Sequence, residues 1–439
     1  MLLSGWLLAL LVVLAAGMHG TGLACGVRRR WRLRSGLPVA TGWRAAVRRL
    51  GIAFGAVVLT VAAVAVAIND HYSYVPSFHA LWGDVSPDLA HGPVRHSVVL
   101  SAGTQKMPDH GTVVKVSVAG PASGVAARDT YVYLPPQYFD PHRPDQRFPV
   151  LYLLHGSPGI SVDWIRGGWA DRVMDSLLAA HRIQPFIIVF PDLNGGYRRD
   201  TECEDVVGGA HVQTYVVRDV VAYADAHYRT IPDRTGRAIG GLSTGGYCAL
   251  NLTLRHQDVF SGIVSHSGFD RPDQNLYTGS LFGGDRALER ANSPFLYLPD
   301  IPLVSPLGVY LDVGSGDRQS RLETLNTYEV FTRRHIPVAL HDFAGEAHSW
   351  LAWRRNLLSS LPWVSAWFAS NGAGERDPAA AGHLASSTPG QAPVEAAPPE
   401  VPVGDPQPST ARLVQTAPQS PMIHPPATPS RRPAGARRR

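Results

Sequence analysis

Charge is scarce in this chain, and what there is falls in blocks. Only 17% of the 439 residues are Asp, Glu, Lys or Arg, against 45% hydrophobic, a low share for a protein whose whole surface meets water. Two stretches, residues 2–23 and 50–68, carry no Asp, Glu, Lys or Arg. Each is close to the roughly 20 apolar residues that cross a bilayer. Cysteine is scarcer still: the 3 present, Cys25, Cys203 and Cys248, allow one intramolecular disulfide at most. No group of His, Cys, Asp and Glu has metal-ligand spacing, so neither a metal nor an organic cofactor is expected. Residues 371–439 hold few large apolar side chains and are rich in Pro, Ala, Ser and Gly. Such a composition cannot bury enough surface to fold, and the stretch reads as a disordered tail. Its arginine-rich end either touches anionic lipid or wall polymer or is simply solvated.

The net charge of +5 says little about the body of the chain. Eight arginines lie between Arg28 and Arg49, and five more close the sequence. Setting those 13 aside leaves 27 of the 40 basic residues against 35 acidic ones. The body is mildly acidic, which argues against a nucleic-acid partner. The basic cluster falls between the two apolar runs, where the positive-inside rule places it in the cytoplasm. A cleaved signal peptide is the alternative for the first run. It lacks the basic residues that should precede such a segment, and has them after it instead. The expected organisation is a transmembrane helix in 1–24, a basic cytoplasmic loop in 25–49 and a second transmembrane helix in 50–68. A membrane-proximal linker follows in 69–95, then one catalytic domain in 96–370 on the outer side, then the tail in 371–439.

The expected domain opens with period-two runs at 97–100, 112–118 and 130–134, which suggest antiparallel strands. From Phe148 the apolar runs become short and continuous: 148–154, 185–190, 237–242, 260–264, 307–311 and 337–340. Helical segments at 169–181, 215–228, 244–255, 321–334 and 349–368 separate them. Strands buried on both faces with helices between them mean an α/β fold with a mostly parallel sheet and helices on both faces. In such a sheet, sites form beyond the carboxyl ends of the strands.

The richest of those ends is Gly241-Leu242-Ser243-Thr244-Gly245, a G-x-S-x-G sequence between a strand and a helix. There a sharp turn presents the serine hydroxyl, and the glycines leave room for it. A passive serine on a Gly-rich turn would carry the same letters. The strand ending at Leu154 runs into His155-Gly156-Ser157-Pro158-Gly159, a turn whose amides can point inward as an oxyanion hole needs. An ordinary β-turn would look similar. The turn Pro191–Gly196 lines the same edge without an assigned role. A serine needs a histidine to take its proton and a carboxylate to orient that histidine. Two later strands lead to Asp312–Asp317 and to Gly345-Glu346-Ala347-His348. The order Ser243, Asp317, His348 is the chain order of α/β-hydrolases. Asp317 has more reach than Asp312, which could simply cap the turn, and Asp342 and Glu346 are outside candidates.

The blocks Leu151–Gly159, Gly240–Tyr247, Gly314–Asp317 and Gly345–Arg354 resemble the esterase family that takes in esterase D, feruloyl esterases and mycolyltransferases of the antigen 85 type. The likeness covers roughly residues 113–369. It implies an α/β-hydrolase fold with Ser243 as nucleophile, His348 as base and Asp317 as the orienting acid. The amides of Ser157 and Thr244 would form the oxyanion hole. His155 stands where the antigen 85 type has an acidic residue, which favours the plain esterases over the mycolyl-transfer enzymes. Two transmembrane helices before the domain resemble membrane-tethered actinobacterial members.

The expected activity is hydrolysis of carboxylic esters through an acyl-enzyme, on a small-molecule or lipid ester outside the cytoplasm. The alternatives are transfer of the acyl group to an envelope alcohol, or a hydrolase fold that only binds or scaffolds. An outward domain permits disulfides. Cys203 lies in the long connection after the strand ending at Phe190, and Cys248 lies on the helix leaving Ser243. Their pairing would close a 45-residue loop, while two unpaired cysteines, with Cys248 a small buried residue, is the alternative.

Overall fold

The structure is a computed structural model that describes residues 5–39, 42–72, 107–195, 200–274 and 278–373. The expected strand at 97–100, most of the linker and nearly all of the tail lie outside the described residues. Two long helices come first, α1 (Gly5–Arg34) and α2 (Trp43–Tyr72). Both contain windows apolar and long enough to cross a membrane. They run past the uncharged stretches, so most of the arginines expected in a loop sit on helix, and the connection shrinks to residues 35–42. The reason is that Arg is a good helix former and nothing between Leu23 and Arg34 breaks the helix. The two helices touch at His19 and Thr60, whose Nε2 and Oγ1 are 3.1 Å apart.

The rest is built on one sheet of 8 strands in the order β1-β2-β4-β3-β5-β6-β7-β8. Strands β1 (Thr112–Val118) and β2 (Arg128–Leu134) are antiparallel to their neighbours. The other six are parallel: β3 (Val150–Leu154), β4 (Ile187–Phe190), β5 (Arg237–Leu242), β6 (Gly262–His266), β7 (Gly308–Gly314) and β8 (Val338–Phe343). Alternate side chains feed two cores. Tyr152, Leu154, Ile239, Ile263 and Val309 pack on one face, and Leu151, Leu153, Ala238, Val264 and Tyr310 on the other. Both faces of β3 are therefore dry, which is why its sequence reads as unbroken apolar residues.

Three short or amphipathic helices cover the second face or lead to it: α3 (Asp163–Arg166), α4 (Ala170–Ala179) and, at the chain's end, α10 (Trp350–Ser370). The first face carries α5 (212–227), α6 (Thr244–Arg255) and α9 (Arg318–Arg333). Within α5, residues Tyr215–Val220 form a π turn. Two small helices, α7 (Arg286–Ala291) and α8 (Pro294–Tyr297), lie in the long connection between β6 and β7. The parallel strands all end at one edge, and the candidate side chains are found there.

Candidate active site

The turn from β5 into α6 sets the position of Ser243. Its backbone is left-handed, with φ 53° and ψ −120°, a conformation that costs a side-chain-bearing residue about 1–3 kcal/mol and survives only where its surroundings impose it. The surroundings are close. A Cβ added to Gly241 would come within 2.4 Å of the Gly245 carbonyl oxygen, and one added to Gly245 within 2.5 Å of the carbonyls of Leu154 and His155. Both positions therefore exclude any side chain. The Ser243 amide donates to the His266 carbonyl at 2.9 Å, while its own carbonyl accepts from Gly246 and Tyr247. The nucleophile candidate is thus fixed from β6 on one side and by the first turn of α6 on the other.

Ser243 Oγ lies 3.0 Å from His348 Nε2, and His348 Nδ1 lies 2.5 Å from Asp317 Oδ2. His348 comes from the loop after β8 and Asp317 from the loop after β7. The loops are clamped together, since Gly316 N donates to the Glu346 carbonyl at 2.8 Å and Gly314 has no room for a Cβ beside Glu346. The Trp353 and His348 rings stand nearly perpendicular, at 86° with their centres 4.8 Å apart, which fixes the imidazole plane. Burial pushes the Asp317 carboxyl up, but the hydrogen bond and charge of His348, with further bonds from Ser320, leave it below its ordinary value. An ionised Asp317 holds Nδ1 as the donor and leaves Nε2 free to accept a proton.

The turn after β3 lies directly against this line. A Cβ on Gly156 would sit 3.3 Å from Ser243 Cβ. Neither Ser157 nor Thr244, the first residue of α6, donates a backbone hydrogen bond among the described residues. His155 supports that turn. Its Nδ1 is 2.7 Å from the Gly156 carbonyl and its Nε2 accepts from the Leu193 amide at 3.0 Å. The carbonyl fixes the proton on Nδ1, so the ring is a neutral strut between two loops.

The other candidates fall elsewhere. Asp312 faces away from Ser243 into the second core, where its Oδ2 is 2.7 Å from His266 Nδ1 and its Oδ1 accepts from Asn356. Asp342 is clasped by Arg321 at 2.6 Å, and Glu346 by Arg355 at 3.4 Å; neither touches His348. Cys203 and Cys248 are bonded to each other, so the connection after β4 is stitched to α6 five residues beyond Ser243. Sequence reasoning gave no part to Trp353, Ser320 or the buried His266–Asp312 pair. Asp312 at a strand end next to a Gly-Ser-Gly loop was a visible signal, but a partner 46 residues away was not. No group of three or more His, Cys, Asp and Glu side chains that could hold a metal occurs among the described residues.

Comparison with known proteins adds the following. A family model described as Putative esterase matches residues 126–364, more than half of the chain. An uncharacterized protein of Corynebacterium glutamicum is 30% identical over 268 residues, covering 58% of this chain and 62% of its own. An endo-1,4-beta-xylanase/feruloyl esterase of Xylanibacter ruminicola is 27% identical, covering 57% of this chain and 31% of its own. An esterase of Mycobacterium tuberculosis is 32% identical over 125 residues, 28% of this chain and 25% of its own. The chain thus spans less than two thirds of each of these relatives. Among solved structures, a ferulic acid esterase superposes with a TM-score of 0.52 at 25% identity, covering 59% of this chain and 99% of its own. An S-formylglutathione hydrolase from Agrobacterium tumefaciens shares the fold, with a TM-score of 0.51 at 18% identity over 60% of this chain and 98% of its own.

Proposed function

The chain belongs to the Putative esterase family of α/β-hydrolases, and from that premise we propose that it is a membrane-anchored serine esterase working outside the cytoplasm. The observation that carries the proposal is the hydrogen-bonded line from Ser243 through His348 to Asp317, at 3.0 and 2.5 Å. In the proposed reaction His348 Nε2 takes the proton of Ser243 as its oxygen attacks the ester carbonyl. The charge that develops on the carbonyl oxygen is met by the amides of Ser157 and Thr244 and by the positive end of α6. His348 then passes its proton to the departing alcohol, leaving an acyl-Ser243. Water, deprotonated by the same imidazole, releases the acid and restores the serine. Asp317 stays ionised throughout and steadies the imidazolium.

The anchor part rests on α1 and α2, whose exposed apolar length suits a bilayer, and on the arginines gathered where the two helices join. Under this proposal the catalytic unit is 96–370 and 371–439 is a trailing segment. A fluorophosphonate probe tests the chemistry on the full chain in detergent. The expected result is one label, on Ser243, lost in Ser243→Ala and slowed while a short-chain p-nitrophenyl ester is present in excess. A label elsewhere, or undiminished ester turnover in Ser243→Ala, would overturn it.

A further inference from the structure

The segment of residues 200–206, part of the connection after β4, is held to α6 by a carboxyl group with an unusual set of neighbours. Glu204 is 1% exposed, and its backbone accepts from Val212 at the start of α5 and donates to Thr201. The two residues before it, Glu202 and Cys203, are both left-handed, with φ 49° and 54°. Cys203 is tied to Cys248. Beside that tie, Glu204 Oε1 is 2.5 Å from Tyr247 Oη and 3.0 Å from Asn251 Nδ2, both on α6. Tyr247 Oη is in turn 2.7 Å from the carbonyl oxygen of Asn292.

Counting protons decides the state of this group. A carbonyl oxygen only accepts, and so does an ionised carboxylate. Tyr247 has one hydroxyl proton to place between them. If Glu204 were ionised, one of the two short oxygen–oxygen contacts would join two acceptors with no hydrogen between them, in a place closed to water. One more proton satisfies every atom. Glu204 Oε1 donates to Tyr247 Oη, Tyr247 donates to Asn292, and Oε1 still accepts from Asn251. The surroundings agree. Burial dominates and pushes the Glu204 carboxyl up to about 8, against the lowering from Tyr247, Arg255 and Asn251 and with Asp205 raising it. From α8, Tyr297 reaches the same network through Asn251 at 2.7 Å, and Glu202 and Arg255 are the other charged groups in reach.

We propose that Glu204 is a positioning residue for the reaction, kept as a neutral carboxylic acid so that it can donate to Tyr247 and hold the 200–206 segment to the helix that follows Ser243. Loss of its proton breaks one link of the chain and leaves a negative charge beside the first turns of α6. The turn that aims Ser243 and the Thr244 amide then shifts, which costs kcat rather than KM. The inference rests on Ser243 being the nucleophile, and labelling of Ser243 checks that separately. Unlabelled protein fails the esterase proposal. Labelled protein whose pH profile ignores Glu204 fails only this one.

The test follows p-nitrophenyl acetate hydrolysis by the full chain in detergent from about pH 6 to about 10. The wild-type kcat should fall about tenfold on the alkaline side as Glu204 ionises, with KM changing less than about twofold. Glu204→Gln, neutral at every pH, can still donate to Tyr247 and should lose that fall, whatever its kcat at neutral pH. The infrared carbonyl stretch of un-ionised carboxyl groups should be weaker at neutral pH in Glu204→Gln than in the wild type. If that variant does not fold, Tyr247→Phe, which keeps the carboxyl but removes its acceptor, must shift the same band. An unchanged alkaline fall in Glu204→Gln, or an un-ionised carboxyl signal that neither substitution alters, would overturn the proposal. A residue that merely stabilised the fold would leave the pH profile of kcat unmoved.

Discussion

His348 Nδ1 and Asp317 Oδ2 meet at 2.5 Å although 31 residues of chain, a helix and a strand separate them. Asp317→Asn keeps the shape of that contact but presents an amide that can donate where the carboxylate only accepted. It lets the imidazole take the tautomer with its proton on Nε2, facing Ser243. The expected loss in kcat is about 10³- to 10⁴-fold at neutral pH, with KM nearly unchanged. Steady-state kinetics on a p-nitrophenyl ester check this. A loss below about tenfold would mean that another carboxylate serves His348.

Glu346, two residues before His348, has its carboxyl raised to about 7 from its ordinary 4.5, chiefly by burial, with Arg355 opposing and Asp312 adding to the rise. Between those two values the unfolded chain has released its proton and the folded chain keeps it. Folding stability therefore falls as pH rises from about 4.5 to about 7 and is flat above. Glu346→Gln should remove about 1–3 kcal/mol of that slope. Urea midpoints of wild type and variant, compared at both ends of the window, give the answer; parallel curves would exclude the effect.

The bond between Cys203 and Cys248 closes a loop of 45 residues. Breaking it should cost up to about 4 kcal/mol of stability, less whatever strain it carries. Non-reducing peptide mapping of the oxidised full chain should recover the two cysteines in one linked peptide pair and Cys25 as an alkylatable thiol. Free thiols at both positions would contradict the pairing, and an unfolding midpoint indifferent to reductant would contradict its energetic part.

Topology is open to reporters. A fusion after Ala369 that works only outside the cytoplasm should be active, and the same reporter inserted near Ser35 should be silent. The reverse pattern would put the hydrolase domain inside and remove the argument for an external ester substrate.

Much of this architecture was legible because the parallel strands are dry on both faces. Runs such as Val150–Leu154 and Arg237–Leu242 cannot be confused with surface segments, and α6 begins and ends where the sequence places it. Strand ends were harder. The structure extends β7 to Gly314 and β8 to Phe343, where Asp312, Val313 and Gly314 pair in register with His341, Asp342 and Phe343, and long-range pairing is invisible to a local pattern. The π turn in α5 and the two small helices before β7 have no periodicity to announce them. In the candidate site, chain order and strand-end position pointed to Ser243, Asp317 and His348. The residues that hold them there, such as Trp353 and His155, act through contacts between distant segments, and only coordinates bring those together.

The left-handed backbone at Ser243 bears on how this protein would respond to selection for sturdiness. Glycine adopts that conformation without the steric cost of a Cβ, so the backbone there is more at ease without the nucleophile than with it. A library of variants sorted only for heat resistance or yield would accordingly be drawn toward substitutions at the elbow that silence the hydroxyl. Improving this chain as a catalyst means scoring turnover alongside melting temperature at every round, because the two pull in opposite directions at that one residue.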